Sequence, residues 1–276
     1  TMSRSNHPMR TWLPLPLATA LPLAFSLPAA ASSSAWFQSE GGQVRLVTSG
    51  APDQKGRIQG ALEIVLKPGW KTYWRDPGDS GVPPQLDAAA STNIAGADLA
   101  FPAPQHHDDG YGQWAGYDRS VSLPVAFTLA DPKQKATIDA DIFLGMCETI
   151  CIPVQTRLAL DPAADPDNAE DAKTVKAALA ALPAAATTGF GATILPGDHE
   201  TLVVEAHLPG DPASADLFVA GADDYMFGAP ERQDRDGRVV FSVPILDRPT
   251  TTPTGEGLHY TLTGPDGAVA GFLPYP

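Results

Sequence analysis

The sequence holds two cysteines, close together in Leu144-Gly145-Met146-Cys147-Glu148-Thr149-Ile150-Cys151-Ile152-Pro153. A pair this close has three chemistries open to it. It can close as a structural disulfide, exchange electrons with another protein's thiols, or give two sulfurs to a metal. Exchange needs an accessible sulfur, a thiolate, and a second thiol to resolve the mixed disulfide. The spacing is not that of thioredoxin, and no βαβ pattern surrounds it. As a staple the pair has little to offer, because a loop of about five residues contributes roughly 2 kcal/mol on a chain-entropy account. A bond between distant segments would stabilise more. In an exported chain, where disulfides persist, so local a pair invites a redox reading.

Two aromatic segments come next, Gly69-Trp70-Lys71-Thr72-Tyr73-Trp74-Arg75 and Tyr111-Gly112-Gln113-Trp114-Ala115-Gly116-Tyr117. Most rings in a β-protein are core. Rings set in Gly-rich loops have a second use, and Trp70, Tyr73, Tyr111 and Trp114 are candidates to shield a reactive disulfide from stray thiols. Between the segments stand His106, His107, Asp108 and Asp109. With Met146 and the two thiols they compose a donor set of the kind copper takes. Adjacent residues of an extended loop face opposite sides, however, so the four need not converge. The stretch reads as a solvated polar loop, and no zinc or copper site is expected. Asp108 and Asp109 are instead candidates to handle protons during exchange.

These residues need elements to position them, and a compartment. Arg4 and Arg10 supply a positive n-region, and no acidic residue precedes Glu40. An apolar stretch runs from Trp12 to Leu27, and Ala29-Ala30-Ala31 offers a cleavage site before Ser32. Pro14, Pro16, Pro22 and Pro28 interrupt that stretch, which falls short of the ~20 apolar residues a membrane span requires. Residues 1–31 are therefore expected as a cleaved signal peptide. The mature chain is expected in the periplasm, without membrane insertion. Net charge is −14, or −16 once Arg4 and Arg10 are removed. That argues against nucleic acid or an anionic membrane as partner, since both reward Lys and Arg.

Short strands between Pro, Gly and Asp turns fill Trp36 to Asp161. Gln43–Val47, Arg57–Leu66, Ser122–Leu129, Ala136–Leu144 and Val154–Leu160 are the clearest. The cysteines fall between the last two, at a hairpin end. Asp165 to Ala186 turns Ala-rich, with Ala172, Val175, Ala178, Leu179 and Leu182 at helical spacing and Pro183 as the stop. Strands then return at Thr201–Leu208, Ala215–Ala220 and Arg238–Leu246, and a hairpin spans Leu258–Leu273 around Gly264-Pro265-Asp266-Gly267. The expected fold is all-β, with two antiparallel β-sandwich domains, 32–163 and 189–276, joined by a helical linker over 164–188. The second domain shows no catalytic cluster, and its default role is binding or spacing.

The ordered set of Gly69-Trp70 to Trp74-Arg75, His106 to Gly112, Tyr117-Asp118-Arg119-Ser120-Val121-Ser122-Leu123-Pro124-Val125, and Cys147…Cys151-Ile152-Pro153 resembles the N-terminal periplasmic domain of DsbD-type thiol:disulfide interchange proteins. The likeness is closer to the suppressor-of-copper-sensitivity membrane reductases, whose exported region carries two immunoglobulin-like modules. The resemblance covers about Trp36 to Asp161. It implies an immunoglobulin-like fold and a protein-disulfide reductase type of chemistry, with the cysteine pair relaying electrons between a membrane domain and periplasmic thioredoxin-fold partners. No cofactor beyond the thiols is implied. By position, Cys151 would attack the partner disulfide and Cys147 would resolve it. Asp108 and Asp109 fall where the family has acidic residues near the thiols, and Tyr111 and Trp114 lie in its cap-loop segment. This sequence departs from the family in its shorter inter-cysteine loop and in Gly110, where a phenylalanine is usual. No membrane helices are read before Pro276, so electrons are expected to arrive in trans or from another part of a longer protein. A copper-binding or partner-binding protein with a structural disulfide is the alternative.

Overall fold

The computed structural model describes residues 2, 32–78, 81–108, 110, 112–221 and 225–276. The expected signal peptide therefore lies outside the described residues, apart from Met2. Among them, no helix is long and apolar enough to cross a membrane.

The first β region runs through β1 (Phe37–Ser39), β2 (Gly42–Thr48), β3 (Arg57–Leu66), β4 (Thr72–Tyr73), β5 (Gln85–Asp87) and β6 (Ile94–Leu99). It continues with β7 (Gln105–Asp108), β8 (Gln113–Tyr117), β9 (Val121–Leu129), β10 (Ile138–Cys147) and β11 (Cys151–Leu160). Three sheets result, ordered β1-β2-β3-β9-β6, β11-β10-β5 and β4-β8-β7, and every pairing in them is antiparallel. Alternation builds the core between the first two. Ile138, Ala140, Ile142, Leu144 and Met146 point inward from β10, and Leu62, Ile64, Leu123 and Phe127 meet them from β3 and β9.

One α-helix, α1 (Ala169–Ala180), separates the β regions. Asn168 caps it, its side chain accepting from the backbone N–H groups of Glu170 and Asp171. Val175 and Ala178 pack on Val47 and Ala61, and the Ser32 hydroxyl donates to buried Asp171 at 2.6 Å. The helix is a connector seated on the flank of the first region.

The second β region comprises β12 (Ala184–Ala185), β13 (Gly191–Leu195), β14 (Thr201–His207), β15 (Asp216–Ala220) and β16 (Met226–Phe227). β17 (Glu231–Arg235), β18 (Arg238–Asp247), β19 (Leu258–Gly264) and β20 (Gly267–Leu273) complete it. Its sheets are ordered β12-β20-β19-β15 and β13-β14-β18-β16, with β17 also on β18. The short β12–β20 pair is parallel, a departure from the all-antiparallel expectation. Leu202, Val204, Phe241, Val243, Leu258 and Leu262 are among its core residues.

Two expectations need correction. Residues 105–108 are strand β7, not a polar loop, because their backbone groups pair with β8 in the register His107↔Trp114. The aromatic segments likewise contain strands β4 and β8, and Trp70, Tyr73, Trp74, Trp114 and Tyr117 are all buried. Strands of two to five residues are too short to show a period, so local composition dominated the sequence reading.

Candidate functional site

β10 and β11 form one long hairpin whose last register pair is Cys147↔Cys151, and a disulfide joins them with the Cα atoms 4.0 Å apart. The two sulfurs stand in different surroundings. Cys147, the last residue of β10, lies on the face opposite the core row that ends at Met146 and is 1% exposed, whereas Cys151, opening β11, is exposed. Ile150, between them in the turn, is 62% exposed.

Cys147 is sealed by the small β4-β8-β7 sheet. Tyr73, Trp114 and Cys147 form one buried apolar cluster. The chain enters β4 by bridging to the hairpin end. The Lys71 N–H donates to the Cys147 carbonyl at 2.8 Å, the Cys147 N–H donates to the Lys71 carbonyl at 2.9 Å, and the Thr72 hydroxyl donates to the Gly145 carbonyl at 2.8 Å. That clamp brings the Tyr73 hydroxyl to 3.1 Å from Sγ of Cys147 and 3.6 Å from Sγ of Cys151. Tyr73 meets Trp114 edge-on, with ring centroids 5.7 Å apart. Trp114 in turn stacks on His107 at 4.0 Å and carries the Lys71 ammonium 4.4 Å from its ring centroid. Burial, more than the nearby charges, pushes the His107 pKa below its ordinary value and favours the neutral imidazole.

The other candidates fall elsewhere. Trp70 belongs to the main core and not to the cluster around Cys147. Asp108 is exposed at the end of β7 and accepts from the Gly110 N–H at 2.9 Å. Among the described residues it makes no hydrogen bond or ion pair with the disulfide. Asp109 and Tyr111 lie outside the described residues. The two histidines diverge, His107 towards Trp114 and His106 towards Asp216 and Phe218 of the second region. Sequence reading missed the Tyr73 hydroxyl as a polar partner of the sulfurs, along with Lys71 and Phe218, and it weighed His106 only as a metal donor. The Tyr73 contact spans 74 positions, and no local signal announces it.

With one sulfur sealed and the other open at a hairpin tip, the first region defines a β-domain that carries a disulfide at its rim. Residues 43–163 match the family described as "Thiol:disulfide interchange protein DsbD, N-terminal". The described fold is similar to the crystal structure of the N-terminal periplasmic domain of ScsB from Proteus mirabilis, with a TM-score of 0.70 over 89% of this chain and 99% of that one. Sequence identity across the match is 20%, so the likeness is one of fold. No curated protein matches the chain.

Proposed function

We propose that this chain is a periplasmic thiol–disulfide exchange protein that relays two electrons through Cys147 and Cys151. The observation that carries this reading is the asymmetry of the sulfurs, 1% exposure at Cys147 against an open Cys151. Exchange requires just such a division between a sulfur that meets the partner and one that releases it. The match of residues 43–163 to the DsbD N-terminal family supports the chemistry. The leader-like residues 1–31 and the periplasmic domain of similar fold support the compartment.

In the loading direction a donor thiolate attacks Sγ of Cys151. A bond forms between the donor sulfur and Cys151, the Cys147–Cys151 bond breaks, and Cys147 leaves with the electron pair. The donor's second thiol, as thiolate, then displaces Cys151. The donor is left oxidised and the pair reduced, two electrons having moved. In the unloading direction Cys151, as thiolate, attacks a partner disulfide, and Cys147 resolves the mixed disulfide. Tyr73 donates a hydrogen bond to the Cys147 sulfur as charge builds there, and Asp108 and Asp109 are the acidic residues read as handling protons during exchange. The partners are thioredoxin-fold proteins, and the electrons come from a membrane domain, in trans or on a longer chain. The thiols themselves carry the electrons, so no further cofactor is invoked.

Both β regions are read as immunoglobulin-like sandwiches, over 32–163 and 189–276 with 164–188 as linker. Paired sheets around shared cores favour that description.

The reduction potential of the pair, measured against a dithiol buffer, tests the function. An exchangeable bond gives a value above about −300 mV, and a lower value marks a structural one.

A further inference from the structure

We infer that the second β region is the support that holds the exchange site closed, acting through the β4-β8-β7 sheet. Successive side chains of an extended segment face opposite ways, and here each direction has a different neighbour. Tyr73 and His107 face the disulfide cluster and Trp114. Their chain neighbours Trp74 and His106 face the second region. Trp74 meets Phe218 at 5.9 Å and His259 at 6.0 Å between ring centroids. His106 stacks on Phe218 at 4.1 Å, and its Nδ1 lies 2.9 Å from the Asp216 carboxylate. Two residues beyond Trp74, the Asp76 carboxylate accepts from the Gly221 N–H at 3.3 Å.

β15 makes the support two-sided. Leu217 and Val219 belong to the core of the second region, while Phe218 and Ala220 belong to the core of the first. The strand is thus buried on both faces, one in each core. A sheet of two-, five- and four-residue strands is too small to hold its shape alone. Its position over Cys147 therefore depends on what backs it, and β15 backs it. Phe218, Asp216 and His106 touch neither sulfur, so they are positioning residues. The inference deepens the exchange reading, on which its functional meaning rests.

The test measures iodoacetamide alkylation of Cys147 as a single thiol in a Cys151→Ala background. A sealed thiol reacts through local opening of whatever seals it, and alkylation needs no partner protein. Phe218→Ala is expected to raise the alkylation rate by about tenfold or more. Phe218→Leu and His106→Ala, milder changes that serve should Phe218→Ala fail to fold, are expected to raise it roughly threefold. Val204→Ala removes volume from the second core on β14, away from the small sheet, and should leave the rate within about twofold of its parent. Unchanged rates in the Phe218 and His106 variants would overturn the inference, as would an equal rise in Val204→Ala. Failure of the pair to exchange with any dithiol would defeat the functional reading instead and leave these rates as expected.

Discussion

The Tyr73 hydroxyl stands 3.1 Å from Sγ of Cys147, the buried sulfur, and 3.6 Å from Sγ of the exposed Cys151. When Cys151 is attacked, Cys147 departs as a thiolate in surroundings that exclude water. A hydrogen bond to a charged group is worth more than one to a neutral group, so the Tyr73 contact strengthens as the S–S bond breaks. The hydroxyl faces the leaving group.

Removing that donor while keeping the ring isolates its effect. Tyr73→Phe preserves the edge contact with Trp114 and should leave the fold intact. Reduction of the disulfide by a small dithiol should slow by about tenfold, equivalent to roughly 1.4 kcal/mol of lost transition-state stabilisation. Stopped-flow reduction followed by tryptophan fluorescence reads the rate. A rate equal to that of the parent would remove Tyr73 from the mechanism.

Gly116 fixes the approach of β4 to β8. A Cβ there would lie 2.4 Å from the Thr72 carbonyl oxygen and 2.8 Å from the Tyr73 Cα, both backbone atoms that no rotamer change can move aside. Gly116→Ala should destabilise the protein by about 1–3 kcal/mol in urea and slow dithiol reduction as Tyr73 shifts. Gly96, on exposed β6, has nothing within 4 Å of such a Cβ. Gly96→Ala should change stability by less than about 0.5 kcal/mol and leave reduction unchanged.

The contrast between those glycines shows what the sequence alone could carry. Ten-residue Arg57–Leu66 and the hairpin around Gly264-Pro265-Asp266-Gly267 were legible because alternation and turn chemistry are local. The helix was legible from its spacing and its stop. β4, β7 and β8 were not, since their pairing and burial come from residues far along the chain. The cysteine pair was legible as a pair, but its division into sealed and open sulfurs needed Tyr73, Trp114 and the Lys71 bridge. One missed signal was present. The run Leu217-Phe218-Val219-Ala220 is apolar at every position, the mark of a strand buried on both faces.

Acid should loosen the junction between the β regions. Burial, helped by the nearby Arg75 charge, lowers the His259 pKa to about 4 from an ordinary 6.5. Between those values the unfolded chain binds a proton that the folded chain does not, so stability falls as pH drops from about 6.5 to 4. The loss is on the order of 2–3 kcal/mol. Asp76 works in the opposite sense, because burial raises its pKa and acidification relieves the cost of its charge. His259→Phe should therefore flatten the fall, with unfolding free energies at pH 7 and pH 4.5 differing less than in the parent. A profile as steep as the parent's would mean that His259 does not govern it.

Which single cysteine captures a partner distinguishes the two sulfurs' roles most directly. Both variants should fold, since the disulfide closes only a short loop worth about 2 kcal/mol. Cys147→Ala leaves the open Cys151 to attack with no thiol to resolve it, and should accumulate a mixed disulfide with a thioredoxin-fold partner on a non-reducing gel. Cys151→Ala leaves only the sealed Cys147 and should accumulate little. Capture mainly by Cys151→Ala would contradict the assignment of roles, and capture by neither would contradict exchange itself.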